Sequence, residues 1–156
     1  MQKSCFQHVK WRIPAVACVY DALSRMVSDN VNALAVTTVS SGGNGSSGCT
    51  ISGLFTTRDF MHKMALKDRD ARTVTVGEVC SWRLISVTKS TPIEKCMEIM
   101  LEHGVRHLFI KDDVNSEIIG LVSIKDIVKC LISKEKATLD HLETKLYLNE
   151  LASSAY

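Results

Sequence analysis

Gly120-Leu121-Val122-Ser123-Ile124-Lys125-Asp126 decides how this chain is read, because Gly53-Leu54-Phe55-Thr56-Thr57-Arg58-Asp59 repeats it sixty-seven residues earlier. Each stretch runs glycine, two apolar residues, a hydroxyl, two variable residues and an aspartate. Residues 119–122 are a short apolar run with β-branched members, which reads as a buried strand. After it, Ile124, Ile127, Val128 and Leu131 fall at i, i+3, i+4 and i+7, one face of a helix. The hydroxyl and the aspartate therefore stand where a strand turns into a helix. Backbone N–H groups lack partners there and the helix dipole turns its positive end outward, which suits a phosphate. The same residues fit a capping box, with Thr56 or Ser123 as N-cap and the acid three positions on. Either stretch alone favours capping over ligand binding. Aspartate is short for a box that usually carries Glu or Gln, and meeting the pattern twice shifts the reading towards a ligand.

The repetition extends well beyond the motif. Residues 19–36 align without a gap on 93–110 at a shift of seventy-four, matching Leu23 with Met97, Met26 with Met100, Val27 with Leu101 and Val31 with Val105. The shift falls to sixty-seven at the glycine motifs, so the first copy holds seven extra residues, within the Gly/Ser run 40–48. Such a run reads as a flexible loop, expected to be the least ordered internal segment. Each copy reads strand, helix, strand, strand, helix. In the first, Val9, Trp11 and Ile13 alternate as a strand. A helix is predicted from residue 14 or 15 to 28, strands over 33–39 and 49–55, and a helix from 57 to about 67. The charged stretch 67–72 joins the copies. In the second, Thr91-Pro92-Ile93-Glu94 predicts an N-cap, a proline at the first helical position and a capping-box glutamate. Gly104 predicts the stop of that helix. Met97, Met100 and Leu101 lie on its apolar face, at a spacing that reads as core before it reads as a cofactor box. Beyond Ser133, Leu139, Leu142 and Leu146 predict a C-terminal helical extension too short for a coiled coil.

Composition limits the functions. With 156 residues, 46% of them hydrophobic, the chain can bury one core or two small lobes. A net charge of +2, with no dense basic run, speaks against nucleic acid. No apolar run approaches the roughly 20 residues that span a bilayer, and no secretory leader is evident. The six cysteines include no CxxC pair, which argues against zinc or a disulfide framework and for a reducing compartment. The expected location is cytoplasmic. The alternative is a mitochondrial or other organellar matrix, since residues 1–20 carry Lys3, Lys10 and Arg12 but no acid. The five histidines form no HxH or HExxH group, and no GxSxG or Walker-type loop occurs, so no catalytic or metal residue is assigned.

The duplicated unit ending in Gly-apolar-apolar-Ser/Thr-x-x-Asp resembles the cystathionine β-synthase (CBS) domain, here as a tandem pair or Bateman module. Residues 105–110 followed by 119–126, and Thr57-Arg58-Asp59-Phe60 in the first copy, carry the resemblance, which covers about 9–132. It implies an α+β fold of two pseudo-symmetric repeats packed through their sheets, with a C-terminal helix. The expected division is 1–70, 71–133 and an extension over 134–156. No enzyme, channel or transporter domain accompanies the pair, so a stand-alone CBS-pair protein is expected. The resemblance implies adenine nucleotides or related adenosyl ligands in clefts between the repeats, with no cofactor required. Asp126 and Asp59 would accept from ribose hydroxyls. Ser123, Thr56 and Thr57, with the helix N-termini, would hold phosphate. Backbone of each repeat's first strand, 84–88 in the second copy with Ile85, Val87 and Thr88, and 10–14 in the first with Ile13, would read the adenine edge.

The copies are unequal. Arg106-His107 stands where the first copy has Asn32-Ala33, and an arginine there can meet phosphate bidentately. Lys125 and Arg58 are the cations within the two motifs, and Arg106 could serve either cleft. The compact Arg106-His107 pair favours AMP, with ADP, ATP, NAD and S-adenosylmethionine as alternatives. Asp126 is expected to serve the tighter binding event. The functional expectation is a non-catalytic regulatory module that signals to an unknown protein partner. It is expected to pair as a homodimer through helices of both repeats. The alternative is a structural dimerisation module with vestigial sites.

Overall fold

The computed structural model describes residues 11–41 and 47–153. The elements are β1 (Arg12–Pro14), α1 (Val19–Ser28), β2 (Ala33–Ser41), β3 (Ser47–Thr56), α2 (Thr57–Lys63), a 3-10 turn (Ala65–Lys67) and α3 (Val76–Val79). They continue with β4 (Ser86–Thr88), α4 (Ile93–Glu102), β5 (His107–Lys111), β6 (Ile118–Ser123) and α5 (Ile124–Ser153). Two three-stranded sheets form, in the orders β1-β2-β3 and β4-β5-β6. In each, the first pair is parallel and the second antiparallel. The repeat is structural as well as sequential. The register slips between Val36 and Thr37 in one sheet and at the matching Ile110 and Lys111 in the other. Both α1 and α4 end on a left-handed residue, Asn30 (φ 52°) and Gly104 (φ 63°), so an asparagine does in one copy what glycine does in the other.

Strand alternation sorts the apolar residues into three clusters. Leu34 and Val36 of β2 turn into the core of the first lobe, while Ala33 and Ala35 turn the other way. Leu108 and Val122 enter the second lobe's core, while Phe109 and Leu121 face outward from it. The outward sets, with Ile51, meet in a third cluster that joins the two sheets. This is the α+β pair of pseudo-symmetric repeats packed through their sheets.

Several elements depart from their predicted bounds. The first helix begins at Val19 rather than at residue 14 or 15. The backbone of 15–19 is engaged elsewhere, for Gly77 N–H donates to Ala15 O (2.8 Å), Val76 N–H to Ala17 O (2.9 Å) and Val19 N–H to Val74 O (3.0 Å). Residues 74–77 thus lie along the entrance to α1, and α3, which the sequence did not suggest, packs Val76 and Val79 into the first lobe's core. The helix predicted to residue 67 ends at Lys63 and tightens into the 3-10 turn. Thr91 does not cap α4, where Pro92 holds the N-cap position; the Thr91 hydroxyl accepts from Thr88 N–H instead (3.1 Å). The outer parts of the Gly/Ser run pair as strand, Ser40 with Gly48 and Ser41 with Ser47. The centre of that run, 42–46, and with it the expectation of disorder there, lies outside the described residues, as do Val9 and Lys10. The last predicted helix and the C-terminal extension are one helix, α5. Met100 is buried and Met97 packs on the same core, so of the predicted apolar face only Leu101 stands out in solvent.

Candidate functional site

Each strand-to-helix junction closes a reciprocal cap. At Ser123 the backbone N–H donates to Asp126 Oδ2 (3.0 Å) and the hydroxyl donates to the same oxygen (2.6 Å), while Asp126 N–H donates back to Ser123 Oγ (3.3 Å). Thr56 and Asp59 repeat the pattern at 3.0, 2.7 and 3.2 Å. The capping reading of the motif is therefore physically realised in both copies, and it consumes one carboxylate oxygen and the hydroxyl proton.

The second oxygen separates the copies. Lys63 Nζ donates to Asp59 Oδ1 (2.8 Å) and is held there by the carbonyls of Val79 (2.7 Å) and Cys80 (3.2 Å). Lys63 is four residues past Asp59, one helical turn on. Four residues past Asp126 stands Cys130, which offers no such cation. Among the described residues no group donates to Asp126 Oδ1.

Two cavities flank the junctions, and each draws on both repeats. The larger, about 370 Å³, sets Ser123, Lys125, Asp126 and Lys129 of the second repeat against Trp11 and residues 29–33 of the first. The smaller, about 180 Å³, sets Thr56, Arg58 and Asp59 against Ser81, Arg83, Ile85 and residues 104–105. Arg106 and His107 line both. The crossing follows from the fold: the sheets pack face to face, so the turn after α1 meets the α5 cap and the turn after α4 meets the α2 cap.

His107 is held uncharged at neutral pH. Burial, with the Arg106 guanidinium beside it, pushes the imidazole down to about 4, and Asp126 offsets this only in part. A folded value below the unfolded one means that the unfolded chain takes up the proton first. The stabilisation is thus complete above about pH 6.5 and is lost as pH falls towards about 4. The shift corresponds to about 3 kcal/mol at most. Chemical denaturation at pH 7 and pH 4.5 should show His107→Gln losing less stability between the two than the parent chain. Equal losses would mean that His107 does not carry the acid sensitivity.

A family model for the CBS domain matches residues 76–133. Over 119 residues, which is 76% of this chain and 76% of the relative, the chain is 30% identical to the CBS domain-containing protein YhcV of Bacillus subtilis. The chain belongs to the CBS-domain family. It is also 31% identical over 126 residues to the mitochondrial CBS domain-containing protein CBSX3 of Arabidopsis thaliana, taking in 80% of this chain but only 57% of that longer relative. Among solved structures, a CBS-domain protein from Burkholderia ambifaria superposes with a TM-score of 0.67 at 32% identity, over 79% of this chain and 82% of the other. A CBS domain protein of Pyrobaculum aerophilum, complexed with AMP, superposes with a TM-score of 0.63 over 78% and 85%; at 17% identity it speaks for the fold.

The CBS clefts gather some of the expected ligand residues and leave others out. Asp126, Ser123, Lys125, Arg106 and His107 share the larger cleft. Asp59, Thr56, Arg58 and Ile85 share the smaller. Ile13 and Val87 are buried in the two lobe cores, and Thr88 is exposed, its hydroxyl paired with Ser90 and Thr91. Thr57 heads α2, its N–H donating to Asn32 O (3.2 Å). The sequence does not single out residues 29–31, Lys129, Ser81 or Arg83, and it brings in Trp11 only through the strand backbone. The internal alignment held the signal, since a shift of seventy-four lays Asn30 on Gly104 and Trp11 on Ile85. Lys129 lies one helical turn past Lys125.

Proposed function

We propose that this chain is a non-catalytic regulatory module that binds an adenosine nucleotide, AMP favoured, in the larger CBS cleft and signals its occupancy to a protein partner. The observation that carries this reading is Asp126, which lines a cationic cleft between the repeats and whose Oδ1 has no donor among the described residues. That oxygen is the kind of acceptor on which ribose hydroxyls bind in other nucleotide folds. The cleft's volume of about 370 Å³ falls in the roughly 300–1,000 Å³ range of small-molecule sites. Arg106, Lys125 and Lys129 can neutralise phosphate, and Trp11, Ala33 and Leu121 give the base an apolar wall. The CBS fold accommodates AMP in the Pyrobaculum protein. The two repeats, 1–70 and 71–133, are the proposed binding halves, and 134–156 the extension. Pairing into a homodimer would cover Val27 and Leu101, matched positions on α1 and α4 that are 81% and 74% exposed.

A panel of AMP, ADP, ATP, NAD and S-adenosylmethionine tests the reading by thermal shift. A ligand at a hundred times its dissociation constant adds about 2.7 kcal/mol, which raises the melting temperature by roughly 5–10 °C for a domain of this size. AMP is expected to give the largest shift, and light scattering of the same samples at tens of micromolar is expected to report a dimer. No shift from any of the five at millimolar concentration would leave the structural-module alternative in its place, and a monomer would remove the pairing through Val27 and Leu101.

A further inference from the structure

The two clefts are not two versions of one site. We propose that the cleft beside Asp59 is an oxyanion site, taking free pyrophosphate or orthophosphate rather than a second nucleoside. Three observations converge on it. The carboxylate that would receive a ribose already accepts on both oxygens, Oδ2 from the Thr56 N–H and hydroxyl and Oδ1 from Lys63, which two backbone carbonyls anchor in turn, so its charge is paired and one acceptor position is left against two on Asp126. The cavity, about 180 Å³, is half the volume of its counterpart and below the roughly 300 Å³ at which small-molecule sites begin. Its lining carries three guanidinium groups, Arg58, Arg83 and Arg106, none of which makes an ion pair among the described residues. With Asp59 paired to Lys63, no other carboxylate in the lining offsets the charge of the three arginines, one of which, Arg106, the larger cleft shares. Guanidinium forks match phosphate oxygens bidentately, so a small polyvalent anion satisfies charge and geometry together. The Ser81 hydroxyl on the same wall can add a neutral donor. The larger cleft differs on each count: Arg106 is the one guanidinium in its lining, beside two lysines, its volume is larger, and its aspartate has an oxygen with no donor among the described residues.

This inference does not need the nucleotide reading, and the test keeps the two apart. The full chain is titrated calorimetrically with pyrophosphate and orthophosphate at constant ionic strength, and with AMP in parallel. One pyrophosphate per chain is expected. Arg83→Ala and, separately, Arg58→Gln should each weaken it at least tenfold, with melting curves unchanged in the absence of anion. Lys129→Ala, in the other cleft, should leave pyrophosphate affinity within twofold, and Arg83→Ala should leave AMP affinity within twofold. The proposal is overturned if Lys129→Ala abolishes pyrophosphate binding while Arg83→Ala does not, because the anion then sits in the larger cleft. It is equally overturned if AMP fills two equal sites per chain, or if millimolar pyrophosphate gives no binding heat.

Discussion

Replacing Asp126 with alanine is expected to weaken AMP binding at least tenfold, while replacing Asp59 leaves it within twofold. A hydrogen bond to a charged group contributes roughly 1.5–3 kcal/mol, and tenfold corresponds to about 1.4 kcal/mol. Loss of even one ribose contact at Asp126 therefore suffices. At Asp59 the same contact would have to share Oδ1 with Lys63, whose nitrogen lies 2.8 Å away and already offsets the carboxylate charge, so it contributes less. The folding consequences should run the other way. Both substitutions remove half of a capping box, a cost of about 1 kcal/mol while the hydroxyl still accepts from the helix. Asp59→Ala also strands a lysine that is only partly exposed, adding up to about 1 kcal/mol. Calorimetry gives the affinities and melting curves the folding control. A larger affinity loss from Asp59→Ala would reverse the ranking of the clefts.

Phe109→Ala should be among the most destabilising single changes, at about 3–5 kcal/mol. Phe109 is 1% exposed and sits in the cluster that joins the sheets, opposite Ala33 and Ala35. Those alanines have no side-chain length to spare, so they cannot relax into the space that a phenyl ring leaves. The loss is therefore the transfer free energy plus an unfilled cavity. Phe55→Ala, in the first lobe's own core, should cost a similar amount, but only Phe109 also lines the smaller cleft. Denaturant titration of both variants, with pyrophosphate binding as a second readout, separates the effects. Stability of Phe109→Ala within 1 kcal/mol of the parent would mean that the sheets do not depend on this contact.

Local chemistry made much of the fold legible from the sequence. Gly120 to Asp126 reads as a strand and a capped helix because cap geometry is set within four residues, and Gly104 reads as a stop for the same reason. The repeat followed from apolar positions that line up at a constant shift. Pairing across the chain was not legible. Nothing local to Ala15 or Ala17 announces that their carbonyls accept from Gly77 and Val76, so the start of α1 was placed too early. The Asp59–Lys63 pair could be suspected from its one-turn spacing. Its hold on the carbonyls of Val79 and Cys80, sixteen and seventeen residues past Lys63, depends on tertiary packing. Nor can one copy's sequence say that its cap faces the other copy's turn, which is why Asn30 and Arg83 carry no local signal.

The strand-like pairing of 74–77 along the entrance to α1 bears on where such a chain can be cut. Val74, Val76, Val79 and Cys80 belong to the first lobe's core, although by sequence they follow the end of the first repeat. The second repeat closes its own entrance with the Thr88 and Thr91 side chains. The sequence repeat and the packed first lobe are therefore out of phase by the length of the connector. The first repeat thus completes its core with residues beyond its own end, whereas the second closes its entrance locally, so cutting the chain at the sequence boundary would strip apolar cover from the first lobe alone.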